Sequence, residues 1–89
     1  MRFRKRPVVV VAIQYTGGLQ SADKVIAWCL EQGAGPGIRY VRLDDTIDIH
    51  TLEGTMSAGA GDWVLRGTAG EFYPCRPEIF GAIYEEVEG

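Results

Sequence analysis

Four arginines and three aromatic residues have the chemistry to hold an anion that carries a ring. Arg39, Tyr40 and Arg42 fall together, and Trp63, Arg66, Tyr73 and Arg76 fall in the segment GDWVLRGTAGEFYPCRPEIF. A guanidinium offers a planar fork of donors that matches phosphate or carboxylate. Aromatic faces stack bases without regard to their sequence. Pro77 suits the first position of a helical turn, whose opening amides could receive an anion. The same segment also has a purely structural use. Gly61 and Asp62 make a turn, Trp63, Leu65, Phe72, Ile79 and Phe80 are apolar enough to fill a core, and Pro74 and Pro77 stiffen a strand-to-helix corner.

Catalytic constellations are weaker. Cys75 beside Arg76 at a helix start could carry a lowered thiol pKa, with His50 as its base. Nothing in the spacing brings the two together, and Cys75 reads more simply as a small hydrophobe at a corner. Asp44, Asp45, Asp48 and Glu53 read as turn and solvent-face acids, without the histidine and carboxylate cluster that a catalytic metal needs. The expectation is therefore a protein that is not an enzyme and uses no metal and no cofactor.

A chain of 89 residues, 46% hydrophobic and 24% charged, is an ordinary globular composition with room for one core, hence one domain over residues 1–89. Small cores have little stability to spare, which favours a homo-oligomer. The longest apolar run, residues 8–13, is far short of a membrane span, so no membrane association is expected. It is also too short and too β-branched for a secretion signal. Cys29 and Cys75 build neither a disulfide framework nor a zinc site, which fits a reducing cytoplasm.

The formal net charge of -3 conceals an asymmetry. Arg2, Arg4, Lys5 and Arg6 crowd one end and Glu85, Glu86 and Glu88 the other. Antiparallel pairing of the first and last strands would set these charges against each other. A basic arm that touches nucleic acid is the lesser reading, because an acidic chain repels a polyanion elsewhere.

The elements that must position these residues follow from the pattern. Residues 7–15 read as a strand buried on both faces and central in its sheet. Ser21 reads as the N-cap of a helix over 22–32, with Ala22, Val25, Ile26, Cys29 and Leu30 as its apolar stripe and Trp28 at the margin. The glycine-rich stretch 33–37 follows a helix and precedes a strand, the wrong order for a phosphate loop, and is expected to be a flexible connection. Strands are expected at 38–43, 46–51, 55–57, 63–66 and 71–73, then one helical turn over 76–80 and a last strand over 82–87. The fold class is α+β, one main helix packed on a strongly bent antiparallel sheet of five or six strands.

Three stretches, RFRKRPVVVVAIQYTG, IDIHTLEGTMSAGAGDWVLRG and GEFYPCRPEIFGAIYEEV, together resemble a widespread family of small phage and prophage proteins marked by a Pro-Gly-Asp-Tyr-Gly-like signature. The likeness runs over nearly the whole chain and is most specific over residues 70–80. Here Ala60, Gly61, Asp62, Trp63 and Val64 stand in the signature's place, without its proline and final glycine. The resemblance implies a phage accessory product working in the bacterial cytoplasm and supplies no catalytic mechanism.

Arginines and aromatics lining pockets between subunits would suit the phosphates and bases of a cyclic nucleotide. The expected function is thus non-enzymatic sequestration of a nucleotide signal of host anti-phage defence, with Arg39, Arg42, Arg66 and Arg76 toward phosphate and Tyr40, Trp63 and Tyr73 toward bases. The alternatives are a module that inhibits a host enzyme through a sheet edge or exposed aromatics, or nucleic-acid binding through the basic N-terminal arm.

Overall fold

In the computed structural model, which describes residues 1–4 and 7–87, the β-branched run near the N-terminus pairs only over Val11–Gln14, strand β1. Helix α1 spans Gly18–Glu31. Strands β2 (Ile38–Val41), β3 (Thr46–Thr51), β4 (Gly54–Ala58), β5 (Trp63–Arg66) and β6 (Phe72–Cys75) follow, and helix α2 (Pro77–Ile83) ends the described elements. The class is α+β, as the pattern implies. The six strands form two three-stranded antiparallel sheets, ordered β1-β5-β6 and β2-β3-β4.

Three expectations change. The first strand is shorter and lies at an edge: β5 is central, with β1 on one side and β6 on the other, and the chain turns away at Gly17 and Gly18, both at positive φ. α1 begins ahead of Ser21, whose hydroxyl instead accepts from the Thr16 amide (2.9 Å) and the Thr16 hydroxyl (3.0 Å). The last strand is absent. Helix α2 runs on to Ile83 because Phe80 stacks on Trp63 (centroids 4.2 Å apart) and Tyr84, four residues further, meets Phe80 at 5.1 Å. That spacing is helical, and it holds the backbone in a helix where a strand was read.

With no terminal strand, the basic start and acidic end are not ladder neighbours; β1 pairs β5, Val11 opposite Arg66 and Gln14 opposite Trp63. The share of that expectation carried by Lys5, Arg6 and Glu88 lies outside the described residues.

Strand alternation builds the core. Ile47 and Ile49 of β3, with Ala58 of β4, face Ala22, Val25 and Cys29 of α1, and Val64 of β5 and Tyr15 complete a fully buried cluster. Ile13, Trp28, Ile38, Tyr40 and Phe72 pack around it, Trp28 meeting Phe72 edge-on at 6.4 Å. Leu65 and Trp63 lie on the opposite face of β5, where Phe80 stacks, so α2 and this face form a second small apolar layer. Leu30 and Ile79, both read as core, are exposed: Leu30 falls on the outer side of α1, and Ile79 precedes the stacked Phe80 by one residue and points away.

Asp45 is no ordinary turn acid. Its carboxylate accepts hydrogen bonds from the Tyr15 hydroxyl, from the Tyr40 hydroxyl (3.0 Å) and from the Gly18 amide (3.0 Å). The last is the N-terminal amide of α1, so the helix is capped from the β2–β3 turn, across 27 residues of chain. Asp45 sits at φ 54°, a left-handed conformation that aspartate tolerates better than most residues. The hydrogen bond from Tyr15, then those from Gly18 and Tyr40, hold its carboxyl below the usual range. Burial and then Asp45 push the Tyr15 phenol well above its ordinary value.

Two outcomes follow. A carboxyl with a lowered folded pKa stabilises above the unfolded value of about 3.9 and loses that contribution as pH falls through the folded value. Urea midpoints across the acid range should therefore drop steeply in the native chain and less steeply in Asp45→Asn. For the core, Leu65→Ala should cost about 2–5 kcal/mol and the exposed Leu43→Ala under about 0.5 kcal/mol, by urea unfolding at neutral pH.

Candidate functional site

An open groove of about 950 Å³ lies between the α1–β2 loop, the β3–β4 hairpin and the start of β6. Its form follows from small residues. Ala34, Gly35 and Gly37 give one wall almost no side-chain volume, and Gly37 is pressed to β3, accepting the His50 amide at 2.8 Å. A Cβ at Gly37 would approach the His50 Cβ to 3.1 Å. The stretch read as a flexible connection is thus one side of the groove. Ile38, Ile49, Leu52, Met56 and Phe72 give it an apolar floor and rim, and His50, Glu53 and Glu71 supply polar character.

Of the seven residues singled out from sequence, only Tyr73 lines this groove. Arg39 sits on the face of β3's neighbour that points away from the core, opposite Asp48. Asp48 in turn accepts from the hydroxyls of Thr46 (3.2 Å) and Ser57 (2.8 Å). Tyr40 points the other way, its hydroxyl committed to Asp45. Arg42 is exposed at the β2–β3 turn.

The other four belong to the first sheet. Trp63 and Tyr73 share the α2 face, where Phe80 covers one side of the indole, the rings 9° from parallel. Burial, then a hydrogen bond with Tyr84, pushes the Tyr73 phenol up to about 12. Arg66 pairs with Phe72 on the opposite face, its guanidinium near Gly70 and its Nε buried without a hydrogen-bond partner among the described residues. Arg76 precedes α2 in extended conformation and is exposed. α2 has seven residues, too few to gather a useful N-terminal dipole. Within one chain the two sheets therefore divide the set, and no cluster of arginines converges on one cavity.

The thiol chemistry weighed from sequence also meets resistance. Burial first, then Asp62 and Glu78, raise the Cys75 pKa rather than lowering it, and its Sγ donates to the Arg76 carbonyl at 3.6 Å. His50 is exposed on β3. Among the described residues no group of three or more His, Cys, Asp or Glu side chains is arranged to hold a metal ion, and no helix is long and apolar enough to cross a membrane.

The groove residues passed over in the sequence were Ile38, Leu52, Met56 and Phe72. One signal was available: Leu52 stands at a hairpin turn, where Gly, Asn, Asp and Pro are the usual occupants, and its side chain is fully exposed. Fold and cavity together define a small α+β domain with one apolar groove. Comparison with protein-family models, curated proteins and solved structures gives no match to this chain.

The cysteines give a direct check. Cys75 should react with an aromatic disulfide reagent more slowly at pH 7 than a free cysteine peptide, and accelerate as pH passes its raised pKa. Cys29, fully buried with a pKa pushed up to about 11, should react only on unfolding.

Proposed function

We propose that this chain is a non-enzymatic phage accessory protein that acts by binding a host protein, with the apolar groove as its contact surface. The observation that carries this reading is the groove itself, an open concavity rimmed by Leu52, which is 107% exposed, and Met56, at 41%. Leu52 on the hairpin tip contributes nothing to the core, Met56 is exposed on β4 opposite Ile49, and exposed apolar surface of this kind marks interaction sites. Glu53 and Glu71 at the rim suit a partner segment that combines apolar and basic residues. The resemblance to small phage proteins supports the setting, and bacterial cytoplasm is the compartment it implies.

Sequestration of a cyclic nucleotide signal is the second reading. It is favoured by Arg66, whose buried Nε lacks a partner among the described residues and whose strand neighbour Phe72 lines the groove. The acidic rim and the scattered arginines weigh against it for a single chain.

Affinity capture from lysate of a susceptible bacterium, then reconstitution with the purified partner, separates the two. The double change Leu52→Asp and Met56→Asp should weaken a protein partner by roughly a hundredfold, as loss of a hot-spot pair does, with Arg66→Ala near neutral. A partner held equally well by the groove double variant overturns the protein-binding reading. Calorimetric uptake of a cyclic di- or trinucleotide, lost in Arg66→Ala and kept in the double variant, would establish the nucleotide reading in its place.

A further inference from the structure

Val8, Val9 and Val10 continue the β-branched run of β1 toward the N-terminus, yet the β1–β5 ladder starts at Val11. Among the described residues, no backbone hydrogen bond outside the ladders and helices involves residues 7–10. Val8 is 49% exposed, Val9 75% and Val11 42%. β1 is also an edge strand, with β5 on one side and, among the described residues, no strand on the other. Folded monomers protect such edges with an internal charge, a proline or a bulge. Between Pro7 and Tyr15 the chain has none of these, and no charged residue lies between Arg6 and Asp23.

We infer that the segment 8–14 is a self-association surface, pairing antiparallel with the same segment of a second copy of this chain about a twofold axis at Val11. The reading is independent of what fills the groove. The occupant follows from complementarity. Antiparallel pairing of a strand with itself is isologous, so each unpaired N–H meets an unpaired C=O without a second kind of surface. The segment is uncharged, so two copies approach without like-charge repulsion, while Arg2 and Arg4 lie beyond its end.

Side-chain alternation agrees. Val9, Val11 and Ile13 share one face, and Ile13 pairs with Val64 of the core on that face. Centring the pairing on Val11 sets Val9 against Ile13 of the second copy and Val11 against its own counterpart. The apolar row of the core face then runs unbroken across the junction, and two three-stranded sheets become one of six strands.

Sedimentation velocity of the full chain over a dilution series should show a reversible dimer. Val9→Lys should raise the dissociation constant by at least roughly tenfold, since it sets a charge against the apolar Ile13 of the second copy in the middle of the edge. The thermal midpoint of the dilute variant should stay at the native value, because Val9 is not in the core. In a Cys75→Ser background, Val11→Cys should form a disulfide-linked dimer under mild oxidation much faster than Leu43→Cys, an exposed control on the β2–β3 turn. A monomer at every concentration, a dimer indifferent to Val9→Lys, or equal cross-linking at positions 11 and 43 would each overturn the inference.

Discussion

A single carboxylate ties together two stretches of the chain far apart in sequence, the β1–α1 junction and the β2–β3 turn. Asp45 accepts hydrogen bonds from the hydroxyls of Tyr15, which follows β1, and Tyr40, on β2, and from the first amide of α1, that of Gly18. The helix has no side-chain cap of its own, and Gly17 ahead of it is strained for any larger residue at φ 96°. A carboxylate there answers both an unmet donor and the positive end of the helix dipole. The left-handed backbone of Asp45 is what aims it. Where α1 starts, and hence which of its faces meets β3, therefore depends on a turn between two strands of the other sheet.

From that anchor the rest of the architecture follows by exclusion. α1 covers the inner face of the β2-β3-β4 sheet through Ala22, Val25 and Cys29, and the β1-β5-β6 sheet closes the cluster with Val64. The outer face of β5 would leave Trp63 and Leu65 in water, and α2 meets that need with Phe80. Nothing of comparable size stands over the β3–β4 hairpin. The low side-chain volume of Ala34, Gly35 and Gly37 leaves the groove open there, with Leu52 and Met56 at its rim.

The balance of buried and exposed apolar surface explains why this chain has surfaces to offer. Among the described residues nine hydrophobic residues are fully buried, while Val8, Val9, Leu52, Met56 and Ile83 are among the large apolar residues left in water. A domain of this length buries a modest fraction of its surface, and each uncovered patch is a place where association would recover the hydrophobic contribution the fold does not use. The groove and the edge of β1 are two such patches.

The α+β class, the helix core positions Ala22, Val25 and Cys29 and the antiparallel run from Ile38 to Phe72 were legible from residue order alone, because period and turn residues are local properties. Pro77 likewise marked the start of α2. The terminal strand was misread because Ala82, Ile83 and Tyr84 suit a strand locally, whereas the ring stack of Trp63, Phe80 and Tyr84 decides for helix and joins residues far apart in the chain. For the site, sequence supplied the right kinds of residue without their grouping. Arginine and tyrosine positions identify donors and rings, but only the sheet pairing separates Arg39, Tyr40 and Arg42 from Trp63, Arg66, Tyr73 and Arg76. Composition, the turns and the type of the elements up to β6 were set by local chain chemistry; the helical form of the C-terminal element, the role of Asp45, the edge position of β1 and the groove were decided by contacts across long sequence distances, which no local pattern encodes.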